Sequence, residues 1–304
     1  MQPINRRQFL RTSMAGLGAA LIAGRLTHAA EKPATYYDPV EVVKLGKTKI
    51  KMTRLGMGTG MRGGGRQSNH TRMGFESFNT LIKTCWDQGM RWFDVADLYG
   101  THPFLARSLA QMPRKDYVIA TKIWWRSGSL PEHERPGAQG VVERFLKELG
   151  TDYIDIVQLH CLANKDWPTE LSEYMTGLDK CKQKGLIRAH GISCHSLESL
   201  ETAITEPWVD TVHARINPFG AKMDGPTEKV EPVLRKLHEA GKGLIAMKVI
   251  GEGTFGNDGQ KKDQSIQYVL QGGFIDAITI GFEKVEHIDD FTARARKVPV
   301  VATT

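Results

Sequence analysis

The feature that most constrains this chain is a repeated alternation of apolar, strand-like runs with amphipathic, helix-like segments. Residues 54–58 read as a first strand. Residues 75–88 follow as a helix, with Phe75, Phe78, Leu81, Ile82 and Cys85 on one face. Seven further strands fall at 91–95, 117–123, 153–159, 187–193, 209–216, 244–249 and 277–280. Helices fall between and after them at 104–112, 141–149, 171–183, 197–204, 230–240, 264–271 and 285–295. Eight such pairs in about 250 residues predict a (β/α)8 TIM barrel. Residues 42–50, with Gly46 at a turn, predict an N-terminal β-hairpin ahead of it. A doubly wound sheet would place G-x-G-x-x-G directly after its first strand. Gly56-x-Gly58-x-Gly60 has a different spacing and runs into a polar, Gly-rich loop.

The N-terminus has the pattern of an export signal. Asn5-Arg6-Arg7-Gln8-Phe9-Leu10-Arg11 carries a twin-arginine pair, and a weakly apolar stretch follows from Met14 to Gly24. Thr27-His28-Ala29 supplies a small-residue cleavage site. Residues 1–29 are therefore expected to be a signal read by the twin-arginine export machinery, leaving 30–304 as one barrel domain in the periplasm. The stretch is too short to span a bilayer, which takes about 20 apolar residues, and no stable membrane span is expected after cleavage. These 29 residues hold four arginines and no acid, so their removal takes the formal charge from +7 to +3. The mature surface is nearly balanced and shows no basic stripe of the kind nucleic acid requires. Cys85, Cys161, Cys181 and Cys194 match neither a zinc framework nor a disulfide scaffold, and free thiols are expected.

Chemistry collects where the apolar runs stop. Asp94-Val-Ala-Asp-Leu-Tyr99 ends the second strand, Lys122 the third and His160 the fourth. In a barrel of this kind the C-terminal ends of neighbouring strands share one mouth. Asp, Tyr, Lys and His together can polarise and protonate a carbonyl oxygen. Tyr99 is the expected acid. Lys122 is expected to lower its pKa, Asp94 to hold Lys122, and His160 to orient the carbonyl or relay the proton.

These residues resemble the aldo-keto reductase family. The likeness runs from Leu45-Gly-Lys-Thr to Ile280-Gly281. It rests on the five-residue step from Asp94 to Tyr99, on Lys122 and His160, and on Gly185-Leu-Ile-Arg-Ala-His-Gly-Ile-Ser193 and Gly273-Phe-Ile-Asp-Ala-Ile-Thr-Ile-Gly281. It implies a barrel closed below by the hairpin, and reduction of a small-molecule aldehyde or ketone with NADP(H) or NAD(H). It further implies a cofactor side made from Gly58, Ser193, Cys194, His213, Lys248, Lys284 and His287, with Trp124 and Trp125 lining the substrate pocket. Cys194 stands where the family usually has Asn, and His213 where it has Gln. Met247 or Lys248 stands where many members stack an aromatic ring. Lys284 and His287 are the candidate ligands for a 2′-phosphate, among Glu283, Glu286, Asp289 and Asp290. Neutral His does not grip phosphate as Arg does, so a weakened preference for NADP over NAD is expected. The short tail after Ala295 predicts an open mouth and broad specificity.

Two other readings fit parts of the pattern. His160, Cys161, Cys194, His195 and His213 fall near three strand ends, where two or three could converge on zinc in a barrel hydrolase. A binding barrel that has lost cofactor would also explain the altered phosphate segment. No residue is assigned to a metal.

Overall fold

The computed structural model describes residues 35–301; the expected export signal, residues 1–29, lies outside the described residues. Strands β1 (Val42–Lys44) and β2 (Lys51–Thr53) pair antiparallel, with Val43 opposite Met52. Eight parallel strands then close on themselves: β3 (Leu55–Gly58), β4 (Trp92–Asp94), β5 (Val118–Ile123), β6 (Ile154–Leu162), β7 (Ile187–Cys194), β8 (Thr211–Arg215), β9 (Gly243–Met247) and β10 (Ala277–Ile280). They run in sequence order around the barrel, and β10 pairs β3 to complete the ring. Leu45, Ile50 and Met52 of the hairpin pack with Trp92, Ile156 and Ile245 of the strands, so the hairpin fills one end of the barrel. The other end, where the strands finish, is left for the site.

The helices are α1 (Asn69–Arg72), α2 (Phe75–Asp87), α3 (His102–Leu109), α4 (Ala138–Leu149), α5 (Trp167–Glu170), α6 (Ser172–Gln183), α7 (Leu197–Thr205), α8 (Thr227–Glu239), α9 (Gly259–Gln271) and α10 (Val285–Ala295). Their apolar stripes bury against the outer faces of the strands. Phe78, Leu81, Ile82 and Cys85 of α2 do so beside Val141, Val142 and Phe145 of α4 in one continuous core. Among the described residues no helix is long and apolar enough to cross a membrane, and all four cysteines are free thiols.

Two departures from the sequence expectation bear on the site. Strand β6 runs to Leu162, three residues past its expected end. Its register against β7 slips between Leu159 and Leu162, and Cys161 sits at φ 61°. Such a bulge re-aims side chains at a strand end, here on either side of His160. Helix α9 starts at Gly259 rather than 264, because the Asp258 side chain caps it by accepting from the Lys261 N–H at 3.0 Å.

Candidate active site

Strands β4, β5 and β6 deliver Asp94, Lys122 and His160 to one mouth, all at most 5% exposed. Tyr99 arrives on a 3₁₀ turn, Asp97–Tyr99, directly after β4. The Lys122 ammonium donates to the Asp94 carboxylate and, at 3.2 Å, to the Val95 carbonyl. It lies 5.4 Å from the centre of the Tyr99 ring. The Tyr99 hydroxyl is 3.4 Å from His160 Nε2, with the two rings edge to face.

Burial sets the protonation states here. It drives the His160 imidazole well below its ordinary value, and the charges of Lys122, His195 and Arg126 push the same way. These effects favour the neutral imidazole. Burial also raises the Asp94 carboxyl, against the pull of Lys122. For Tyr99 the structure corrects the sequence expectation: its pKa is raised well above the ordinary value, by burial first and by the Asp94 charge second. The lowering expected from Lys122 is absent because its ammonium is tied to Asp94, while the phenol has lost its water. Both effects favour the protonated phenol.

Two supports of Tyr99 have no motif in the sequence. Gly60 and Gly63, in the loop after β3, lie flat against its ring. A Cβ on Gly60 would sit 2.2 Å from Tyr99 Cζ, and one on Gly63 would sit 2.5 Å from Cδ1. Beneath the 3₁₀ turn, the buried Asp97 carboxylate accepts both Arg144 nitrogens, at 3.0 and 2.8 Å. Arg144 also donates to Glu148 at 2.8 Å; Glu148 pairs His102 Nδ1 at 2.6 Å, and His102 Nε2 meets Thr121 Oγ1 at 2.8 Å. This chain of bonds links the Tyr99 turn to the residue beside Lys122.

A cavity of about 330 Å³ runs from Asp94 and Tyr99 across the ends of β9 and β10 to the start of α10. Of the expected cofactor residues, Gly58, Lys248 and His287 line it. Ser193, Cys194, His213 and Lys284 are not among its lining residues. Ser193 and Cys194 are buried within β7. His213 is fully buried inside the barrel, 3.5 Å from Asp94 Oδ1 and edge-on to Trp92. Lys284 is exposed at the N-cap of α10. Lys248 holds φ 61°, fixed by Asn217, whose side chain donates to its carbonyl at 3.0 Å. Lys262, which the sequence reading passed over, reaches the wall from α9 and pairs with Asp290.

The two tryptophans separate. Trp124 stands edge-on to His160, ring centres 6.1 Å apart. Trp125 packs against the core and donates its N–H to the His160 carbonyl at 2.9 Å, bracing the bulge. Cys161 Sγ lies 3.5 Å from His195 Nε2. Among the described residues no group of three or more His, Cys, Asp or Glu side chains is placed to hold a metal ion.

Residues 54–301 match the Aldo/keto reductase family. This chain belongs to that family. By that membership it is an oxidoreductase. Aldo-keto reductase YhdN of Bacillus subtilis (strain 168) is 30% identical over 246 residues, which is 75% of this chain and 71% of the relative. The NADH-specific methylglyoxal reductase of Escherichia coli (strain K12) is 26% identical over 204 residues, 60% of each chain. The solved structure of PA4992 from Pseudomonas aeruginosa superposes with a TM-score of 0.69 at 23% identity, over 88% of this chain and 97% of that one, a likeness of fold.

Proposed function

We propose that this aldo/keto reductase reduces the aldehyde or ketone group of a small molecule, with NADH or NADPH as hydride source and Tyr99 as proton donor. The observation that carries this reading is the meeting of Tyr99 with His160 and with the Lys122–Asp94 pair, where Tyr99 and Asp94 line one end of the cavity.

The cavity suits a dinucleotide. The Thr279 hydroxyl is buried in its wall without a partner, and a Cβ on Gly58 would close to 2.8 Å of that oxygen. Helix α10 opens onto it with no side-chain cap, and free N–H groups at a helix start attract phosphate. Gly58, Lys248, Lys262, Thr279 and His287 would hold the cofactor, which supplies hydride when bound. A substrate oxygen seated between the Tyr99 hydroxyl and His160 Nε2 accepts hydrogen bonds from both. As hydride reaches the carbon, that oxygen becomes an alkoxide, far more basic than a phenolate. Tyr99 then gives up its proton. Asp94 keeps the Lys122 ammonium in place, 5.4 Å from the centre of the ring that gives up the proton. The raised pKa of Tyr99 keeps the proton on the phenol until the alkoxide forms.

A panel of aldehydes, followed by loss of reduced-nicotinamide absorbance, tests the activity. Turnover of several members supports the reading; no turnover with either nucleotide defeats it.

The reading extends to location. Residues 1–29 act as a twin-arginine signal, 30–304 form the periplasmic barrel, and cofactor is loaded before export of the folded protein. Lysine in place of both Arg6 and Arg7 should keep the chain out of the periplasmic fraction. Undiminished export of that variant would refute this part.

A further inference from the structure

The charges of four cations reach Cys161, the residue after His160: Lys122, Arg126, Arg215 and Lys248. Burial raises the Cys161 thiol to about 11, and all four charges act on it in the opposite sense. The same four add to the burial that lowers the neighbouring His195 to about 3. Three of them are matched by a carboxylate: Lys122 by Asp94, Arg215 by Asp224, and Lys248 by Glu252 at 3.3 Å. Among the described ion pairs Arg126 has none. One of its nitrogens donates to the Cys161 carbonyl at 2.7 Å. Its guanidinium lies 4.9 Å from the Trp125 ring centre and 5.9 Å from that of Trp124.

This arrangement differs from an arginine that merely reaches solvent. The side chain is half-buried and tethered at the bulge, one residue past His160. Two indoles hold it, and Trp124 is the ring that stands edge-on to His160. A guanidinium carries five N–H donors, and the Cys161 carbonyl uses one. The remaining donors form a pre-placed fork of the kind that matches a carboxylate or phosphate. The charge of the fork reaches His160, one of the two groups proposed to receive the carbonyl oxygen.

We propose that Arg126 binds an anionic group on the substrate, so that this enzyme reduces aldehydes or ketones bearing a carboxylate or a phosphate a short way from the carbonyl. The proposal rests on the reading of Tyr99 and His160 as the carbonyl site. It fixes substrate class through a residue outside the catalytic four.

Matched pairs test it in the full chain: succinic semialdehyde against butyraldehyde, and glyceraldehyde 3-phosphate against glyceraldehyde. In at least one pair the anionic member should have a kcat/KM about tenfold higher or more, with the difference in KM. The first pair reports carboxylate, the second phosphate. In Arg126→Gln that ratio should collapse toward one. Arg126→Lys should keep part of it, because the charge stays and the fork is lost. A ratio near one in the wild type overturns the proposal. So does an equal loss on both members in Arg126→Gln, which would make Arg126 only a brace for the Cys161 carbonyl. Calorimetric titration with succinate and with inorganic phosphate gives a readout free of turnover. Saturable binding weakened about tenfold by Arg126→Gln supports the anion site even if no aldehyde is reduced, in which case the reductase reading alone falls. Aldehyde reduction with neither charge preference nor Arg126-dependent binding leaves the reductase reading and removes the anion site.

Discussion

At the scale of single residues, Tyr99 is held by contacts as much as by bonds. Gly60 leaves 2.2 Å between its missing Cβ and Tyr99 Cζ, so a methyl group there must displace the ring. Misplacing a reacting group by about 1 Å can cost on the order of 10²-fold in rate. Gly60→Ala should therefore lower kcat by about ten- to a hundredfold in steady-state assays, with a smaller effect on KM. An unchanged kcat would show that the ring has room to give. The four residues at the mouth were legible in the sequence because each follows an apolar run that stops. Gly60 was not, because its partner is 39 positions away and only the closed barrel brings them together. The surroundings of Ser193 and His213 were not legible either. A strand residue faces the interior, the helices or the rim according to register. His213, counted toward the cofactor, turns into the barrel beside Trp92 and Asp94.

At the scale of elements, α4 anchors the turn that carries Tyr99. Arg144 grips the buried Asp97 with two nitrogens, and without it the carboxylate keeps only the longer Arg66 contact at 3.4 Å, a poorly paired buried charge. Arg144→Ala should destabilise the fold by about 3 kcal/mol in urea unfolding and reduce kcat through the loosened turn. A variant as stable as the parent would show that water reaches Asp97 freely. Glu148 adds a pH signature. Burial works to raise its carboxyl, but His102 and Arg144 outweigh burial and hold it at about 2. A depressed carboxylate contributes stability that is full above its unfolded pKa, near ~4.3, and is lost as pH falls toward about 2. Replacing Glu148 by Gln should flatten the stability profile across that window; an equally steep profile would assign the acid loss elsewhere. Periodicity revealed the strands and helices to within a few residues. It missed the β6 bulge and the four-residue α1 and α5, which are too short to show a period. The early start of α9 depends on one cap, Asp258, that no apolar pattern announces.

At the scale of the whole molecule, the barrel gathers its chemistry at one end while the hairpin fills the other. The cavity wall toward α10 mixes signs. His287 and Lys262 face it together with Glu283 and Asp290, and Lys262 is already engaged by Asp290. That balance offers little to an added 2′-phosphate. We expect kcat/KM with NADH to equal or exceed that with NADPH. A strong advantage for NADPH would mean that His287 and Lys284 grip phosphate better than their surroundings suggest. The measurement that bears most directly on the account is the rate of Tyr99→Phe on an aldehyde that the parent reduces, with nicotinamide binding followed in parallel. The account predicts a loss of about 10²- to 10⁴-fold in kcat with cofactor affinity retained. Turnover at the parent's rate would contradict it, because the proton would then come from another group.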